Sequence, residues 1–106
     1  MTPEQSVKHL ISQYLMHKGY FFWWNATTGI FDPRTKKFRK NRGKFQMNGV
    51  SDILGMTKEG RFFAIECKSP TSKRVTEDQL AFLNRVNTAG GIGIVARSVD
   101  DVLPYL

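Results

Sequence analysis

The stretch from Gly49 to Ser69 constrains the fold of this chain more than any other. Two runs of strand-like composition, Ser51–Thr57 and Arg61–Ser69, flank the short turn Lys58-Glu59-Gly60. That pattern predicts an antiparallel hairpin, and Pro70 stops its second strand. Side chains alternate along a strand, so Glu66 and Lys68 project from one face while Ile65 and Cys67 point to the other. Counting outward from the turn, Asp52 lies opposite the region of Glu66 to Lys68. Two carboxylates and an ammonium therefore share one edge of the sheet, at the ends of otherwise apolar runs.

Two neighbouring carboxylates repel, and one tends to stay protonated unless a cation sits between them. A hard divalent ion resolves the repulsion: Mg²⁺ takes oxygen ligands in octahedral geometry and keeps several waters, so two carboxylates and a backbone carbonyl suffice. Asp52, Glu66 and the carbonyl of Cys67 are the candidate ligands, with Mg²⁺ or Mn²⁺ as the cofactor. Such an ion acidifies water and neutralises charge developing on phosphoryl oxygens, and Lys68 is placed to orient or deprotonate the attacking water. The chemistry indicated is phosphodiester hydrolysis. The simpler alternative makes Glu66 and Lys68 a surface ion pair worth about 0 to 1 kcal/mol and Asp52 a turn residue.

The rest of the chain supplies a frame for the hairpin. Thr2-Pro3-Glu4-Gln5 is a helix start with a capping box and proline at the first helical position. Val7, Leu10, Ile11, Tyr14 and Leu15 follow at helical spacing, and Gly19 ends the helix. Tyr20–Ala26 is aromatic-rich and predicts a strand. From Asp32 to Lys44 the polar sequence predicts an exposed loop or hairpin tip. Thr76-Glu77-Asp78-Gln79 is a second capping box; Leu80, Leu83 and Val86 form one stripe, giving a helix from roughly Glu77 to Ala89. Ile92–Ala96 reads as a short buried strand and Ser98–Leu106 as a final short helix interrupted by Pro104. The expected fold class is α/β, a mixed β-sheet flanked by helices in the order α-β-β-β-α-β-α.

A chain of 106 residues has room for one core, so a single domain over residues 1–106 is expected. With 16 Lys and Arg against 9 Asp and Glu the net charge is +7, which favours an anionic partner, nucleic acid before an acidic membrane surface. No apolar run approaches the ~18 residues of a membrane span. The start of the sequence lacks the basic-then-apolar layout of a secretion signal, so an intracellular, cytoplasmic setting is expected. Cys67 is the single cysteine, excluding an internal disulfide and a cysteine-based zinc site. His9 and His17 read as helix-surface residues, not ligands.

The charge is concentrated. Arg34, Lys36, Lys37, Arg39, Lys40, Arg42 and Lys44 are seven cations within residues 34–44, and the remainder of the chain holds 9 basic against 9 acidic residues. Such a cluster neutralises phosphates and gains affinity by counterion release; its plain alternative is a solvated loop. Phe38 and Phe45 interrupt it, better suited to anchoring the segment than to stacking on a base. Lys73, Arg74 and Arg85 extend the basic surface. No base-reading module is evident, so DNA shape or structure is the expected target, not sequence.

Asp52 followed by Glu66-Cys67-Lys68 on a hairpin resembles the PD-(D/E)XK nuclease superfamily. With Gly49, the aromatic strand and Gln79 in the following helix, nearly the whole chain is similar to its virus-type replication-repair nuclease branch, VRR-NUC. The resemblance implies a restriction-endonuclease-like core and a metal-dependent deoxyribonuclease, the alternatives being a non-catalytic nucleic-acid-binding module with the same fold or a nuclease acting on RNA or free ends. Ser51 departs from it, since the family often has proline before the acid. The resemblance also implies that Glu4 on the first helix completes the metal site and that Gln79 sits beside it. Their structural alternatives are a favourable charge at the helix N-terminus and the capping box. A homodimer acting on branched DNA, such as a four-way junction, is the expected assembly, because so small a core gains grip by pairing. The exposed aromatic run Phe21-Phe22-Trp23-Trp24 is the expected interface, the alternative being a sheet covered on both faces.

Overall fold

The computed structural model describes residues 1–26, 30–39, 45–71 and 74–106, with 30–32 and 37–39 described as backbone alone. In chain order the elements are helix α1 (Pro3–Lys18), strands β1 (Phe21–Trp24), β2 (Ile30–Asp32), β3 (Lys37–Arg39), β4 (Ile53–Met56) and β5 (Phe62–Cys67), helix α2 (Glu77–Thr88), strand β6 (Ile92–Ala96) and a 3₁₀ turn at Val99–Asp101.

Both capping boxes form. The Thr2 Oγ1 accepts from the Gln5 N–H at 3.1 Å while the Thr2 N–H donates to Gln5 Oε1 at 2.9 Å. Thr76 and Gln79 repeat the exchange at 3.2 and 2.9 Å. Gly19 closes α1 at φ +81°, where a side chain would be strained.

The main sheet has four strands in the order β1-β4-β5-β6. β4 and β5 form the expected hairpin, with Ile53 opposite Ile65 and Met56 opposite Phe62. β5 then runs parallel to β6, which is reached through α2, the long connection a parallel pair requires. β5 thus lies inside the sheet with helices over both faces, which explains its nearly continuous apolar run. Phe63, Ile65 and Cys67 face α1 and join Val7, Ile11, Leu15, Ile53 and Ile94 in the larger core. Ala64 faces α2 and packs with Leu83 and Val86. By the same alternation Glu66 follows Ala64 onto the α2 face.

One element differs from its sequence expectation, and the polar segment after Asp32 takes the hairpin-tip form of its two expected readings. Ser98–Leu106 is not a helix beyond the 3₁₀ turn at Val99–Asp101, and turns follow to Tyr105. Pro104 lacks a donor, and Val102 and Leu106 are drawn into the core as plugs, which takes over from helical repetition. Within Asp32–Lys44 the described part is a two-strand ribbon, β2 against β3, whose tip is Pro33–Lys36.

Candidate active site

The hairpin register, extended one step past Ile53 and Ile65, brings Asp52 and Glu66 side by side at the ends of two interior strands. The pair lies at the end of interior strands with helices over both faces, so Glu66 is buried and Asp52 half-buried where a sheet-edge position would have been wet. Glu66 is only 2% exposed and Lys68 only 4%. This burial disposes of the surface ion-pair alternative.

Asp52 is held from two sides. Its Oδ2 accepts from the Cys67 N–H at 2.8 Å, and its backbone carbonyl accepts from the Asn25 N–H at 2.9 Å. The first contact crosses the hairpin and the second ties the position to the end of β1. Lys68 is anchored through its own N–H, which donates to the Ala96 carbonyl at 3.0 Å. Asn25 carries no sequence signal of its own, because only the pairing of β1 with β4 puts its amide at Asp52.

Gly49 positions the loop that leads into Asp52. It sits at φ +78°, and a Cβ there would overlap the Asp78 carbonyl and come within 2.7 Å of the Gln79 backbone nitrogen. The loop therefore lies flat on the first turn of α2, bringing Gln79 beside the segment that carries Asp52. The Gln79 Oε1 is committed to the Thr76 cap.

Burial pushes the Glu66 carboxyl up to about 8, assisted by the hydrogen bond its protonated form donates to Asp52, by repulsion from the Asp52 charge and by the field of Glu4, with Lys68 opposing the shift. Burial likewise pushes the Cys67 thiol up, with Asp52 and Glu66 adding to it, so the thiol is inert. The Glu66 Oε2 is buried with no hydrogen-bond partner, and so is the Ser51 Oγ. An orphaned carboxylate oxygen beside a second carboxylate is a donor set that suits a hard divalent cation. Among the described residues no three His, Cys, Asp or Glu side chains group closely enough to hold a metal together. Asp52 and Glu66 are the two carboxylates that meet at the strand ends, and Glu4, half-buried on α1, reaches Glu66 through its field.

The cationic residues divide. Arg34 and Lys36 are exposed on the ribbon tip, Lys37 and Arg39 lie on β3, and Arg74 is exposed ahead of α2. Lys40, Arg42, Lys44 and Lys73 lie outside the described residues. Arg85 occupies the last turn of α2, the end away from Gln79, in a groove with Arg61, Phe62 and Gly90. It belongs to the far end of the sheet and does not border the carboxylate pair.

The four-strand mixed sheet with α1 and α2 is consistent with a nuclease-like core. The family model of the VRR-NUC domain matches residues 4–100, and the chain belongs to that family. Comparison with curated proteins returns no match. Membership implies a nuclease of the PD-(D/E)XK kind, with a divalent metal and DNA as substrate. No helix among the described residues is long and apolar enough to cross a membrane.

Proposed function

We propose that the protein is a divalent-metal-dependent DNA endonuclease that hydrolyses phosphodiester bonds at the Asp52–Glu66–Lys68 site. The observation that carries this reading is the buried Glu66 carboxyl, with its partnerless Oε2, set beside the half-buried Asp52. Asp52, Glu66 and the carbonyl of Cys67 would hold Mg²⁺ or Mn²⁺, with Glu4 adding negative charge from α1. The ion, when bound, supplies charge neutralisation at the phosphoryl oxygens and lowers the pKa of water. The Asp52 carboxylate is held in place by the Cys67 amide. Lys68, on the same face as Glu66, orients the nucleophile and stabilises the developing negative charge. Gln79 lies beside the loop that delivers Asp52 and helps to position substrate.

Arg34, Lys36, Lys37 and Arg39 on the ribbon, with Lys40, Arg42, Lys44, Lys73 and Arg74, contact the phosphate backbone. Such contacts read shape in preference to sequence, which supports branched or otherwise structured DNA as the substrate. Two copies of so small a core would offer two cutting sites and twice the basic surface to a junction, and a homodimer is proposed on that ground. The aromatic run supports it less than its sequence suggests, because part of that run is bound to α1.

A cleavage assay decides the reading: four-way junction, flap, linear duplex, single-stranded DNA and RNA, each with Mg²⁺, Mn²⁺ or chelator. Cutting of DNA that needs the metal and disappears in Asp52→Ala and Lys68→Ala is expected. Cutting that persists in both variants, or in chelator, overturns the mechanism. Neutralising Lys36, Lys37, Arg39 and Lys40 is expected to lower affinity and flatten its salt dependence; an unchanged salt slope removes the ribbon from the interface. Light scattering that shows a monomer both with and without DNA removes the dimer.

A further inference from the structure

The four aromatic residues of β1 have two fates. Trp24 is bound to α1: its Nε1 donates to Ser12 Oγ at 2.8 Å, its ring meets His9 edge-on at 5.2 Å, and Lys8 Nζ lies 4.2 Å above it. Phe22 is partly buried and packs on the core beneath α1. Phe21 and Trp23 alternate to the opposite face, where the register sets them beside Met56 and Leu54. Helix α2 packs on β5 and β6 of that face. Phe21 is left 66% exposed, Trp23 40% and Met56 40%, and the two rings lean together at 5.4 Å with a 46° tilt.

We propose that Trp23, with Phe21 against it on the side away from the carboxylates, forms a stacking shelf for an unpaired nucleobase next to the scissile phosphate, so that the enzyme selects strands with unstacked bases over continuous duplex. The proposal rests on the nuclease reading and deepens it. Trp23 pairs with Leu54, and Leu54 stands two residues after Asp52 on the same face. Strand geometry puts the Trp23 and Asp52 backbones roughly 8 Å apart, from a two-residue rise of ~6.8 Å and a strand spacing of ~4.8 Å. That is about one nucleotide of a single strand, so a phosphate at the carboxylates places the adjoining base over the indole. The net charge of +7 makes a polyanion the favoured occupant. A second copy of the chain is disfavoured by size: Phe21, Trp23 and Met56 together present a few hundred Å², against about 800 Å² per partner in a stable interface.

The test measures binding in chelator, where no cleavage occurs, so it stands whether or not the nuclease reading holds. Oligothymidylate and a fully paired duplex are titrated against the wild type, Trp23→Ala and Trp23→Phe, with sedimentation run on each. Loss of one stacked base should weaken oligothymidylate binding about 5- to 150-fold in Trp23→Ala. Most of it should return in Trp23→Phe, and duplex affinity should stay unchanged. In a Trp24→Phe background, where Trp23 is the sole indole, oligothymidylate should quench its fluorescence and duplex should not. Equal losses for both ligands, or none for either, overturn the proposal. So does a self-association that Trp23→Ala abolishes while oligothymidylate affinity is retained, since the shelf would then join two copies.

Discussion

Glu66→Gln is expected to change the pH dependence of stability more than stability itself. Glu66 is buried beside Asp52, and its carboxyl is raised from 4.5 to about 8 by that burial and by its neighbour. A raised folded-state pKa means that the native protein holds the proton more tightly than the unfolded chain. The stabilisation is therefore complete below about pH 4.5 and is lost as pH climbs through about 8. At about 1.4 kcal/mol per unit the single-site ceiling is about 5 kcal/mol. The sharing of charge with Asp52 and Lys68 brings the expected loss below that ceiling. Even half of it is a large share of the ~5–15 kcal/mol that stabilises a typical domain. Glutamine mimics the protonated acid at every pH, so the variant isolates this group. Urea unfolding of both proteins in chelator between pH 5 and 9 is the assay. The two should differ by less than about 1 kcal/mol at pH 5, with the wild type falling progressively behind up to about pH 8 to 9. Curves that stay parallel to within about 0.5 kcal/mol would show that Glu66 titrates as an ordinary surface carboxylate, and the description of the pair would be wrong.

The same proton competes with a divalent ion, so apparent Mg²⁺ or Mn²⁺ affinity should rise about tenfold per pH unit below pH 8 in the wild type and lose that slope in Glu66→Gln, as read by calorimetry with proton release. Ser51→Ala removes a fully buried hydroxyl that has no hydrogen-bond partner, and should stabilise the fold by about 1 kcal/mol in urea titration; a loss of that size would mean the hydroxyl is satisfied. Gly49→Ala meets both a left-handed backbone and the first turn of α2, so a destabilisation of at least ~2 kcal/mol is expected, with weaker cleavage because the Asp52 loop must lift; wild-type stability would sink this account of the loop. Trp24→Phe gives up the hydrogen bond to Ser12 and weakens the Lys8 contact, with an expected cost of about 1 kcal/mol by thermal or urea unfolding; no cost would show that the contacts of Trp24 with α1 are incidental.

Much of this protein is written locally. Thr2 and Thr76, each followed three residues on by glutamine, start the two helices because the cap needs only residues within one turn. Gly60 after Lys58-Glu59 makes the β4–β5 turn, and strand alternation then places Asp52, Glu66 and Lys68 together without reference to the rest of the chain. The last segment was illegible for the converse reason: Val102 and Leu106 take their conformation from a cavity between distant elements, and no local signal announces it.

Local sequence is enough to dictate which groups meet at the hairpin, because turn geometry and a two-residue period act over a few residues. It also sets where the positive charge accumulates. Long-range packing settles that the meeting occurs at the end of interior strands, with α1 and α2 over the two faces of the sheet. The same arrangement ties the Asp52 carbonyl to Asn25. It also sends Trp24 to α1 and Trp23 to the opposite face of the sheet, although the two are about equally exposed. These outcomes depend on which strands become neighbours across tens of residues. Burial, and with it the elevated carboxyl of Glu66, follows from that long-range packing.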